Sequence, residues 1–306
     1  MTPKRKVYSK GLQHICQISE DHGLIFINLM DFLVLLTTIF IKATQNNICI
    51  IAICVMLNHF HIEAEITSEQ AMSRFMNGME TSFARAYNKF YNLSGQLFNK
   101  PYKNAPKYTA AKQKENYIYI GNNPVAKKAV EHADDYRFNL LGYLVSDHPF
   151  SEPIDPLTVS QDLVSLMKEV KSLHDKGKPL GYKLLKKRMY LLDKIEREQF
   201  IDFVIVTYNM INKETVLKMF GSYENLIANL NLVAGNEYDI DDDVDEENYR
   251  HYYKMISISE EEGFDLKSMH FSRQTKLDGR VLKLKSRIIH EVHASEYEAN
   301  KFLHLL

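Results

Sequence analysis

Two short stretches of this 306-residue chain carry side chains that can do chemistry together. The first is His59-Phe60-His61. Successive side chains of a strand point to opposite faces, so His59 and His61 share one face while Phe60 and Ile62 share the other. Two imidazoles side by side suit a divalent metal, which needs at least one more ligand from elsewhere in the fold. Without that ligand they are two partly exposed strand histidines. The second stretch is Tyr119-Ile120-Gly121-Asn122-Asn123-Pro124. On a continuing helical turn Tyr119 and Asn123 stand four apart and project from one face, so a phenol and an amide point at a common place. Gly121 and Pro124 weaken the helix and put Asn123 on a last, distorted turn. Among 18 tyrosines, the plain alternative is a tyrosine on a helix surface.

The elements that must position these residues follow from patterning. Val7 to Ile18 is rich enough in β-branched and aromatic residues for a first strand, ended by the polar turn Ser19 to Gly23. Leu29 to Lys42 is long and apolar enough for a helix packed on a sheet. The apolar run Ile48 to Leu57 then turns at Leu57-Asn58 into the histidine strand. Ser68 suits the N-cap of an amphipathic helix with apolar residues at Met72, Phe75, Met76, Met79, Phe83, Ala86 and Phe90. A loop over 92–107 precedes a helix from Thr109 to about Ile120, and Pro124 suits the first turn of another. The expectation is an α+β fold, a small antiparallel sheet covered by helices over residues 1–150. The segment Ser151 to Pro156, with two prolines, reads as a linker to a mostly helical region, 151–306.

Composition narrows the partner. The net charge of −1 excludes a bulk polyelectrolyte binder, but residues 1–150 carry 16 Lys and Arg against 12 Asp and Glu, and the remainder 22 against 27. Between Tyr87 and Lys128 eight lysines face one acid, Glu115, which points to an anionic partner for the first half. Cys16, Cys49 and Cys54 lack zinc-ligand spacing and read as reduced core cysteines of a cytosolic protein. No secretory signal is visible. Asn28 and Asp31 interrupt the run Leu24 to Ile41, which reads as a buried helix with its approach.

Taken together, the two stretches resemble the single-tyrosine HUH transposases, most closely their REP-associated branch. That family's hairpin typically ends Met-Pro-Asn-His-hydrophobic-His, and this chain has Met56-Leu57-Asn58-His59-Phe60-His61. The family's Tyr-Ile-x-x-Asn-Pro is met by Tyr119 to Pro124. Between them lie counterparts of its aromatic and basic helix (Ser82 to Phe90), its Gly-x-Leu-Phe element (Gly95 to Phe98) and its basic loop (Lys100 to Lys107). His14-Ile15-Cys16-Gln17 is similar to the opening element, and Asp135-Tyr136-Arg137-Phe138 to the closing one. The resemblance spans about residues 7–145. Leu57 stands where proline is usual, and Ile18 where arginine is common.

The resemblance implies a ferredoxin-like HUH domain that nicks and joins single-stranded DNA, at a hairpin-bearing site. His59, His61 and Asn123 would hold a divalent metal, and Tyr119 would be the nucleophile that forms a 5′-phosphotyrosine. Two imidazoles and an amide are a neutral set that suits Mg2+ or Mn2+ completed by the DNA phosphate. Lys100, Lys103, Lys107, Lys112 and Lys114, with Tyr102, are the expected DNA-contacting residues. The implied protein is cytoplasmic, associated with a bacterial nucleoid, without membrane contact, and compatible with a homodimer. Two rivals are kept: a non-catalytic DNA-binding descendant, and a metal-dependent phosphodiesterase in which water attacks.

Beyond the linker, helical spacing runs over Val159 to Leu173, Tyr182 to Lys194, Glu198 to Ile211, Lys213 to Met219 and Tyr223 to Leu232. The acidic run Asn236 to Asn248 lacks the glycine and terminal glutamate of an EF-hand and reads as a solvated linker. Residues 278–306 read as helix, short turn, helix, compatible with a DNA-reading helix-turn-helix or with two packed terminal helices.

Overall fold

The computed structural model describes residues 10–232, 248–267, 279–303 and 305. The acidic run over 236–247 and the start of the expected first strand lie outside them. Four strands, β1 (Gly11–Ile18), β2 (Cys49–Val55), β3 (His59–Ile66) and β4 (Lys103–Pro106), form one sheet in the order β2-β3-β1-β4, with every neighbouring pair antiparallel. Helix α1 (Leu29–Gln45) links β1 to β2 across the intervening β3, and α2 (Glu69–Tyr91) links β3 to β4. This is the split βαβ order of ferredoxin-like folds. The fold is thus α+β, with helices beside a small antiparallel sheet and a helical region after it.

Strand β4 lies inside the stretch expected to be loop. It is only four residues long and contains Pro106, so its sequence carries no strand alternation; its pairing with β1 supplies the order. The helix starts are where their caps place them: Ser68 accepts from the Ala71 N–H and Thr109 from the Lys112 N–H. Helix α3 (Ala110–Ala126) runs on through Pro124 instead of stopping before it. Its proline sits in the last turn, where it removes the N–H that would otherwise bond the Ile120 carbonyl.

The apolar breadth of α1 has a packing cause. The helix contacts α2 on the sheet side and also α5 (Tyr182–Arg188) and α6 (Lys194–Tyr208) of the helical region. A helix covered from several sides is apolar around most of its surface. Among the described residues no helix is long and apolar enough to cross a membrane.

The segment that follows the sheet unit is fastened down. The buried carboxylate of Asp202 on α6 accepts from the Tyr143 hydroxyl at 2.6 Å, the Phe150 N–H at 3.1 Å and the Ser151 hydroxyl at 2.9 Å, with Arg137 at 3.5 Å. Gln199 donates to the carbonyls of Glu152 and Pro153. Helix α4 (Gln161–Asp175) packs on α6, while α7 (Lys213–Phe220) and α8 (Tyr223–Leu232) pack on α3. A further helix, α9 (Tyr249–Glu261), precedes the terminal helices Gly279–Val292 and Glu296–Phe302. In that terminal pair Lys285 is bonded to Glu296, and Arg287 to Glu261, Glu262 and Glu291.

Candidate active site

Strand partners across an antiparallel pair share a face. His59 lies opposite Ile18, His61 opposite Cys16 and Cys54, and Glu63 opposite His14. His14, Cys16, His59, His61 and Glu63 therefore line one face of the sheet, while Ile15, Phe60 and Ile62 face the other. Helix α3 covers the histidine face, contacting β2 and β3.

Near its end α3 brings Asn123 between the two imidazoles. Its amide oxygen is 3.2 Å from His59 Nε2, and its amide nitrogen is 3.2 Å from His61 Nε2. One turn earlier the ring of Tyr119 meets His61 edge-on at 5.5 Å between centroids and His14 at 5.8 Å. Tyr119 is half-buried, whereas Tyr117 is buried against Phe220 at 5.3 Å. Burial, with the Glu63 carboxylate and Tyr223 adding to it, pushes the Tyr117 phenol well up. Two residues along a helix point different ways, and the chain uses that difference to turn one tyrosine toward the histidines and the other into the core.

The hydrogen-bond partners assign the ring proton of His59. Asn58 Nδ2 donates to the His22 carbonyl at 3.2 Å, which fixes the amide orientation and turns Oδ1 toward His59 Nδ1, 2.7 Å away. An acceptor there requires Nδ1–H on His59, leaving a lone pair on Nε2. Asn123 Nδ2 lies 3.2 Å from His61 Nε2, and His61 Nδ1 lies 3.0 Å from His14 Nε2. Both histidines turn their Nε2 atoms toward Asn123, and each has a polar partner at its other nitrogen. Among the described residues no three His, Cys, Asp or Glu side chains are grouped to hold a metal.

Two residues at this site were not singled out from sequence for these roles. Asn58 stands in the histidine motif itself. His14 stands in the opening element, and the strand alternation that places His61 also places His14, once the β1–β3 register is known.

Gly121 fits α3 against α8. A Cβ there would stand 2.9 Å from Leu230, and the neighbouring Asn122 donates to the Leu230 carbonyl at 2.8 Å. The expected DNA-contacting residues separate. Lys103 on β4 lies opposite Cys16, on the histidine face. Lys100 lines a cleft of about 480 Å³ with Arg85 and Gln96 beside α2, and Lys112 is exposed on α3. Lys114 lies over the Phe220 ring at 5.7 Å, and Tyr102 and Lys107 are buried.

A split βαβ sheet that presents His-x-His from β3 to a tyrosine-bearing helix is the arrangement that the resemblance to single-tyrosine HUH transposases implies. Residues 31–122 match the family model described as "Transposase IS200 like". The matched span contains His59, His61 and Tyr119 and ends one residue before Asn123. A solved structure of the REP-associated tyrosine transposase bound to a REP hairpin is similar over 53% of this chain and 95% of its own, at 13% identity and a TM-score of 0.42. No curated protein matches the chain.

Proposed function

We propose that the protein is a metal-dependent transposase-type enzyme that nicks and rejoins single-stranded DNA bearing a hairpin, with Tyr119 as the nucleophile. The single observation that carries this reading is the convergence on one sheet face of the Nε2 atoms of His59 and His61, the amide of Asn123 and the ring of Tyr119. The family match over residues 31–122 supports the transposase part of it.

His59, His61 and Asn123 would hold Mg2+ or Mn2+. When bound, the cation polarises a phosphate and neutralises charge that develops on its non-bridging oxygens. The phenol oxygen of Tyr119 attacks phosphorus as its proton leaves to solvent, and the bond from phosphorus to the 3′-oxygen breaks. That oxygen takes a proton and departs as a 3′-hydroxyl, leaving the 5′-phosphate on the tyrosine. Because the phosphotyrosine conserves a phosphodiester, a later 3′-hydroxyl can reverse the step and join strands without ATP. Lys100, Lys103 and Lys112 would follow the strand's phosphates. The reaction belongs with chromosomal DNA in a bacterial cytoplasm.

The test uses a hairpin-bearing single strand labelled at its 3′ end, incubated with Mn2+ and run on a denaturing gel. The label is expected to travel with the protein for the wild type and not for Tyr119→Phe, with His59→Ala and His61→Ala also losing the adduct. Free cleaved product without an adduct would mean that water attacks. Binding without cleavage would mean a non-catalytic descendant.

A further inference from the structure

The last residue to complete this site comes from far along the chain. The hydroxyl of Tyr249 donates to Asn58 Oδ1 at 2.7 Å, onto the oxygen that also takes His59 Nδ1 at 2.7 Å. Tyr249 opens α9 and is fully buried; its N–H donates to the Lys127 carbonyl at 2.9 Å, just past the end of α3. Its ring meets those of Tyr252 and Tyr253 edge-on at 5.9 and 6.5 Å. It lies outside both the motif set of residues 7–145 and the family match over 31–122.

We propose that Tyr249 is a positioning residue for His59, by which the helical region sets the tautomer of a metal ligand. The inference rests on the reading of His59 as that ligand. The Asn58 amide is 2% exposed and held from three sides: His22 takes its nitrogen, while Tyr249 and His59 both donate to its oxygen. Turning the amide over would set its NH2 against His59 Nδ1 and force the ring proton to Nε2, where the cation must bind. Removing the phenolic donor takes away one of these restraints, so a fraction of molecules carries the wrong tautomer, and that fraction lowers metal affinity. Partners one shell out from a metal typically change affinity by about 10- to 100-fold; a residue acting through Asn58 belongs at the lower end, about tenfold.

The experiment uses the full chain in two ways. First, 15N-resolved NMR of the metal-free wild type reads the His59 ring directly, and the Nδ1–H tautomer is expected. The Nε2–H tautomer there would overturn the inference without any variant. Second, Mn2+ is titrated by calorimetry into wild type, Tyr249→Phe, His59→Ala and, as a control for loss of a hydroxyl from the same helix, Tyr252→Phe. Tyr249→Phe is expected to bind about tenfold more weakly, with mixed His59 ring signals and an unchanged melting temperature, while Tyr252→Phe binds as wild type. Wild-type affinity and a single tautomer in Tyr249→Phe, with binding lost in His59→Ala, would overturn this inference and leave the proposed function standing. A wild type that binds no Mn2+ would overturn both.

Discussion

Lys267 and Asp31, 236 residues apart, form a buried ion pair with Nζ 2.5 Å from Oδ2. The ammonium also donates to the Ile25 carbonyl at 2.8 Å and to the Tyr87 hydroxyl at 2.9 Å, and lies over the rings of Tyr87 and Tyr91 at 4.5 and 4.4 Å. Asp31 takes the hydroxyls of Tyr91 and Tyr182 and the N–H groups of Ile27 and Asn28. Burial holds the Lys267 ammonium below the ordinary lysine range, with Asp31 opposing that shift. The pair ties the segment after α9 to the first turn of α1.

Truncating one member of a buried pair leaves an uncompensated charge, at a cost of about 3–5 kcal/mol. Lys267→Ala is expected near the lower end because four other donors still serve Asp31, and the double variant Lys267→Met with Asp31→Asn should regain much of the loss. Urea unfolding measures both. A single-variant cost under about 1 kcal/mol would mean that hydrogen bonds alone hold the carboxylate.

His14 Nε2 stands 3.0 Å from His61 Nδ1, so with His61 as the proposed metal ligand His14→Ala is expected to weaken Mn2+ binding by about 10- to 100-fold. Calorimetry at fixed pH checks it. Unchanged affinity would mean that His61 is held in place without His14.

Two lysines of the basic loop are expected to behave differently. Lys103 stands on the histidine face, so Lys103→Ala should weaken single-stranded DNA binding across sequences and reduce the salt slope of log K by about 0.7. Lys107 is buried, and Lys107→Ala should cost stability while leaving the salt slope alone. Fluorescence anisotropy over a salt series separates them; equal slopes for the two variants would remove the distinction.

Stability should fall in alkali. Burial first of all pushes the half-buried Tyr223 phenol up to about 12, and burial likewise raises Tyr87, Tyr117, Tyr136 and Tyr182. In the unfolded chain these phenols titrate near about 10. A folded value above the unfolded one gives stability that is complete below pH 10 and is lost as pH climbs through 12. Lys267 acts oppositely over part of that range, but it is one ammonium against several phenols. Urea midpoints at pH 8, 10 and 11, read with tyrosinate absorbance, are expected to drop only above pH 10; a flat profile would contradict the burial of these rings.

Much of the site was legible in the chain because periodicity carries it. Two-residue alternation puts His59 and His61 on one face, and four-residue spacing puts Tyr119 above Asn123. What stayed hidden depends on contacts distant in sequence. His14 becomes a partner of His61 only through the β1–β3 register, and nothing near Tyr249 says that it reaches Asn58. Strand β4 is too short to show alternation, and Pro124 looks like a start when the helix tolerates it at an end. The basic helix of the terminal pair looks like a groove reader by composition, yet Lys285 and Arg287 are bonded to nearby carboxylates.

Helix α3 is clamped from behind by Phe220 and Leu230 while its front meets the sheet of the same polypeptide. Both imidazoles, the amide and the phenol are consequently supplied in cis. Under the proposed function, the adduct formed per chain is therefore expected to stay constant on dilution.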